Sequence, residues 1–136
     1  MSILKKILII YCVVLIVACE TMQRQAYYYN EIIVRNSTFG SIQDVKVRAD
    51  KTGKVFRCTN IAPRASCSNS FGKKEYQGNP IDISWVYNDR LNVEKDIILK
   101  VPKSMDPLMP IQGVLEIKQD GSIATYFEQN VVTNIK

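Results

Sequence analysis

One side chain central to enzyme chemistry is missing: the chain has no histidine among its 136 residues. No Ser-His or Cys-His nucleophile pair, no HExxH helix and no His-ligated metal centre can be assembled from it. Of the four cysteines, Cys12 and Cys19 lie in the first twenty residues, and Cys58 and Cys67 lie in the body. The body pair has neither CxxC spacing nor the further ligands that zinc or redox chemistry needs. In an oxidising compartment an even pair reads as a structural disulfide. Its ten-residue loop predicts about 2.5–3 kcal/mol of stabilisation from chain entropy. The densest acids are Asp82, Asp89, Glu94 and Asp96. Glycoside hydrolysis needs two convergent carboxylates. On strands, however, Asp82 points away from the core, and Glu94 and Asp96 share one solvent face. A solvated face or interstrand ion pairing is the expected role. Asp120-Gly121 lacks the alternating acids of a calcium loop. Nothing in the chain calls for a cofactor or a metal.

Ser70-Phe71-Gly72-Lys73 matches SxxK and Lys51-Thr52-Gly53 matches KTG. By motif alone this resembles the penicillin-binding proteins and β-lactamases. Here KTG precedes SxxK, the reverse of that family's order, and no SxN element separates them. The chain is also too short for that fold, so both read as turn residues beside strands. Tyr27, Tyr28, Tyr29, Tyr76 and Tyr126 offer planar faces that suit sugar rings or peptide anchors. Three adjacent tyrosines on an extended segment cannot all face the core, because side chains alternate. Asn36-Ser37-Thr38 has the form of a glycosylation sequon and reads as a turn.

The most specific signal is at the N-terminus. Lys5 and Lys6 precede Ile7–Ala18, twelve uncharged residues. This is the basic-then-apolar layout of an export signal. As a helix the run spans about 18 Å, short of the roughly 30 Å hydrocarbon core. It ends Leu15-Ile16-Val17-Ala18-Cys19, which resembles the lipobox of bacterial lipoproteins, with Ile16 and Ala18 at the aliphatic and small positions. The resemblance covers the export signal alone. It implies diacylglyceryl transfer to the Cys19 thiol, cleavage after Ala18 and acylation of the new amine. Cys12 leaves with the leader. Several acyl chains hold a protein stably where one does not. Glu20, rather than Asp, after the lipidated cysteine implies the outer membrane, facing the periplasm, with the inner membrane or the cell surface as alternatives. Starting at Cys19 leaves 118 residues; the leader carries two lysines and no acid, so the net charge falls from +5 to +3. No basic run exceeds Lys73-Lys74, which leaves nucleic acid without a patch to bind.

The elements that must position these groups read as strands. Residues 1–18 are leader, 19–29 lipidated terminus and tether, and 30–136 a single domain. A β-branched run, Glu31–Arg35, predicts the first strand. Asn36–Ser41 is a turn. Val45, Val47 and Ala49 alternate with Asp44, Lys46 and Arg48 on a second, half-buried strand. Lys51–Lys54 turns into a third, Val55–Thr59. Ile61–Asn69 reads as a loop that Cys67 ties to the third strand, and Phe71–Pro80 as a connection or weak edge strand. Ile81, Ile83, Trp85 and Tyr87 alternate along the clearest strand. Asn88–Arg90 turns the chain, and Leu91–Val101 forms one long strand or two. Pro102–Gly113 is an irregular crossover. Val114–Lys118 and Ile123–Phe127 flank Asp120-Gly121, a strong hairpin signal. Val131–Lys136 reads as a tail or a final edge strand. About seven short strands with Gly/Pro turns predict an all-β, immunoglobulin-like sandwich, or a small β-barrel. The bridge joins neighbouring segments and so is not expected to be the inter-sheet bridge of antibody domains.

The functional expectation is a non-catalytic, lipid-anchored periplasmic β-domain. It serves as an accessory or interaction protein of an envelope assembly, tied to the membrane by its lipid and to a protein partner by its surface. The alternatives are a glycan- or peptidoglycan-binding module using Tyr27, Tyr28 and Tyr29, and an inhibitor of a secreted enzyme acting through a loop near Ile61–Ser66.

Overall fold

Apolar residues on alternate positions can bury one face of a strand only against a second layer. The computed structural model, which describes residues 2–3, 25–49 and 53–130, shows that layer to be another sheet. The strands are β1 (Tyr28–Ser37), β2 (Ile42–Ala49), β3 (Val55–Ile61), β4 (Ser66–Glu75), β5 (Ile81–Tyr87), β6 (Arg90–Ile97), β7 (Ile111–Lys118) and β8 (Ile123–Glu128). One sheet has the order β4-β1-β7-β8 and the other β3-β2-β5-β6. Within them β1 and β7 run parallel and every other neighbouring pair is antiparallel. Both sheets keep open edges, so the fold is a β-sandwich and not a closed barrel. Among the described residues no helix is long and apolar enough to cross a membrane.

Trp85 lies between the sheets at 1% exposure, with Val34, Ile42, Val45, Val47, Ile83, Leu115 and Ile117 around it. Ile42 and Val45 are three apart yet both buried, because Asp44 takes a positive φ of 49° and slips the alternation by one residue. This is the effect of a β-bulge. β1 bulges likewise between Tyr29 and Glu31, which lets both Tyr29 and Ile32 pack on the core. In β7 five consecutive residues, Ile111–Leu115, are buried. A strand flanked on both sides and covered on both faces loses the simple in-out pattern.

Three readings of the sequence need correction. Ile61–Asn69 is not a loop: residues 62–65 make the connection, and β4 begins at Ser66. SCSNSFGKKE is nearly all polar because β4 is an edge strand, and its backbone pairs with β1 regardless of side chain. Leu91–Val101 is neither one long strand nor two, since β6 stops at Ile97 just after Asp96, whose φ is 58°, and residues 98–101 are irregular. The Cys58–Cys67 bridge exists, yet it is inter-sheet, joining edge strand β3 of one sheet to edge strand β4 of the other. Neighbours along the chain lie in opposite layers here because the 62–65 turn crosses between the sheets. Two boundaries also move: β1 starts at Tyr28, inside the expected tether, and β7 at Ile111, inside the expected crossover.

Candidate functional site

Tyr27, Tyr28, Tyr29 and Tyr76 gather at one end of the sandwich. β1 and β7 start there, β4 and β8 finish there, and the chain comes in there from its N-terminal segment. Alternation decides which rings turn inward. Tyr27 and Tyr29 pack on the core, whereas Tyr28 is exposed beneath Lys73, whose ammonium lies 5.3 Å from the ring centroid. Tyr29 meets Phe71 edge-on at 5.0 Å and Tyr76 at 5.4 Å, and Tyr76 meets Phe127 at 4.9 Å. The four rings form a ladder of T-shaped contacts, the favoured aromatic geometry. Tyr76 donates its hydroxyl hydrogen to the Leu99 carbonyl, which draws the irregular 98–110 segment over the end of the core. Burial holds the Tyr29 and Tyr76 phenols above their ordinary pKa of 10.0.

Beside the ladder, between β3 and β4, opens a cleft of about 360 Å³. Its apolar wall is Tyr29, Ile32, Val47, Phe56 and Phe71, and its polar lining includes Asn69, Ser70, Lys74 and Asn79. The Lys74 ammonium sits 4.5 Å from the Phe71 ring centroid. Asn79 Oδ1 is buried there without a hydrogen-bond donor. The volume lies in the range of small-ligand sites.

The remaining candidates scatter. Ser70 lines the cleft, but Lys73 lies on Tyr28 outside it. On a helix an SxxK pair shares one face; on strand β4 it does not. Of the KTG residues only Gly53 lies within the described residues, as does only part of the Lys51–Lys54 turn. Cys19 and Val131–Lys136 lie outside them as well. Asp82 points outward as expected and accepts a hydrogen bond from the Asp96 amide at 2.9 Å. Asp89 sits in the β5–β6 turn, and Glu94 and Asp96 are exposed on β6. Asp120 accepts from the Ser122 hydroxyl at 2.6 Å and the Ser122 amide at 2.9 Å. Those two bonds hold its carboxyl below the ordinary value, so the residue serves its own turn. Tyr126 belongs to the outer face of the β4-β1-β7-β8 sheet. Its hydroxyl donates to Glu116 Oε1 at 3.0 Å and accepts from Arg35 at 2.7 Å, while Arg35 also pairs with Glu128 at 2.9 Å. Arg35 thus reaches from β1 across β7 to β8, and on the same outer face Val114, paired with Ile33 and Tyr126, is fully buried.

Sequence reading missed Asn36, which is 0% exposed. Its Nδ2 donates to the Gly40 and Ile61 carbonyls, both at 2.9 Å, and its Oδ1 accepts from the Thr38 amide and hydroxyl. Its backbone exchanges hydrogen bonds with Arg64 and Ala65. The 62–65 turn is therefore pinned against β1. The Asn-Ser-Thr spelling signals such an Asx turn, though not its burial.

No protein-family model matches this chain. No curated protein matches it either. Among solved structures it is similar to the NMR structure of a protein from Eubacterium rectale, at 12% identity and a TM-score of 0.45, over 82% of this chain and 94% of that one.

Proposed function

We propose that this protein is a lipid-anchored, non-catalytic interaction module of the bacterial envelope, moored through Cys19 to the outer membrane and facing the periplasm. The observation that carries the reading is the Leu15–Cys19 sequence placed nine residues before β1. A short tether from an acylated terminus would enter the sandwich at its aromatic end and leave the opposite end, with Phe39 at 83% exposure, accessible to partners. Confinement to a surface raises the effective concentration of the domain near membrane-bound partners. The open placement of Asp82, Asp89, Glu94 and Asp96 outside the cleft, and the divergence of Ser70 from Lys73, favour binding over catalysis.

The test is the intact mass of the protein purified from membranes, compared with a Cys19→Ser variant. The expected native species begins at Cys19 and carries acyl chains, while the variant lacks them and leaves the membrane fraction. A native chain with an unmodified thiol and an uncut leader overturns the proposal. The cleft and its ring ladder favour a second reading, a glycan- or peptidoglycan-binding module. Affinity capture from crosslinked cells separates the two: an envelope protein supports the first and cell-wall fragments alone support the second.

A further inference from the structure

The two outer faces of the sandwich differ in charge balance. On the β4-β1-β7-β8 sheet the cation Arg35 is neutralised by Glu128 and bonded to Tyr126. On the β3-β2-β5-β6 sheet the core side takes Val45, Val47, Phe56, Cys58, Ile83 and Trp85. Alternation turns Lys46, Arg48 and Arg57 outward, and Lys95 joins Lys46 and Arg48 around a shallow depression floored by Ser84. Asp82 is the one acid there, with Asp44 at the margin. Among the described residues the ion pair within 4.0 Å is Arg35–Glu128, so none of these four cations has one. Moreover, Lys46 stands directly opposite Arg57 in the β2–β3 register. Like charges in that position repel and weaken a sheet. Asp44 lines the same hollow as that pair and Asp82 stands opposite Arg48, so four cations face two acids and the surface is left with a net positive charge.

We infer that the outer face of the β3-β2-β5-β6 sheet lies on the anionic phospholipid headgroups of a bilayer. The face is a sheet surface with its cations spread over three strands, suited to a charged plane more than to one phosphate. It carries no aromatic side chain, although aromatic anchors dominate protein–protein interfaces. At its β6 margin Leu91 and Val93 are 68% and 50% exposed, apolar groups placed to enter the headgroup region. Each Lys or Arg near such a surface contributes about 1 kcal/mol. The eight residue steps from Cys19 to Tyr27 span about 27 Å when extended, enough for the sandwich to lie on its side. The contact itself needs no acyl chain.

It is therefore tested on residues 19–136 carrying Cys19→Ser, a chain that holds every core residue from Tyr27 to Phe127. The readout is co-sedimentation with phosphatidylglycerol/phosphatidylcholine vesicles and with phosphatidylcholine alone. Binding is expected to the anionic vesicles only and to fall with added salt. Arg57→Glu should weaken it by about tenfold or more and at the same time raise the unfolding temperature, because it turns a repelling cross-strand pair into an attracting one. Lys118→Glu makes the same change in net charge on the opposite sheet and should leave binding as it was. Four outcomes overturn the inference: equal weakening by both substitutions, equal binding to neutral vesicles, no binding to any vesicle, or binding to polyglutamate in place of vesicles, which would point to an acidic protein. Acylation at Cys19 is read separately by mass, so neither proposal can fail in the other's name.

Discussion

Asn36 shows how much one polar side chain can organise. It occupies an interior position of β1 where alternation calls for an apolar residue, and it joins three stretches of backbone that belong to no common strand pair. Buried amide groups stay only where every donor and acceptor is used. Asn36→Ala would take this partner from the Ile61 carbonyl and the Thr38 amide, while the Gly40 carbonyl keeps the Thr38 hydroxyl. The expected loss is about 3 kcal/mol or more, read as a lower urea midpoint at unchanged slope. Asn36→Asp keeps the shape but brings no donor to two carbonyls, and should rescue little. Arg35 illustrates the opposite case. Its bond to Glu128 raises the guanidinium pKa further.

At the scale of elements, the bridge and the bulges do what hydrogen-bonded ladders cannot. No ladder joins β3 to β4, which lie at matching edges of different sheets. The disulfide closes that margin, with Cys58 buried at 6% exposure. Its reduction, or Cys58→Ala with Cys67→Ala, should lower unfolding free energy by about 2.5–3 kcal/mol, measurable by denaturant titration with and without dithiothreitol. The strands with clean alternation were legible from the sequence: β2, β5 and the turn of the β7–β8 hairpin appear where expected. β4 was not, because an edge strand with both faces largely wet needs no apolar period. The bulges at Asp44 and Asn30 were not either, since a one-residue slip leaves no composition signal and shows only in which partner each residue faces.

At the scale of the whole molecule, one end is closed by rings and the two broad faces differ in charge. The ring ladder crosses from β4 through β1 to β8 and carries Tyr76, which holds Leu99 in place. Burial raises the folded-state pKa of Tyr29 and Tyr76 above 10.0, so folding favours the neutral phenols. Their contribution to stability is complete below pH 10.0 and disappears as pH climbs through the raised folded-state values. Alkaline titration followed at the tyrosinate absorbance should show late-ionising tyrosines that coincide with loss of the fold. With Tyr76→Phe one late phenol should vanish and the stability curve should fall less steeply above pH 10.0.

The amino-acid sequence alone determined the all-β class, the hairpins, the pairing of Cys58 with Cys67 and the exclusion of histidine chemistry. Each of these follows from local spacing, turn residues or simple composition. Only the tertiary structure decided that the bridge joins two sheets, that Tyr27 and Tyr29 stack inward while Tyr28 does not, and that Lys46, Arg48, Arg57 and Lys95 share one face on which cations outnumber acids. Those facts depend on which strands become neighbours. Burial of the whole core selects that pairing, and no short window of residues contains it.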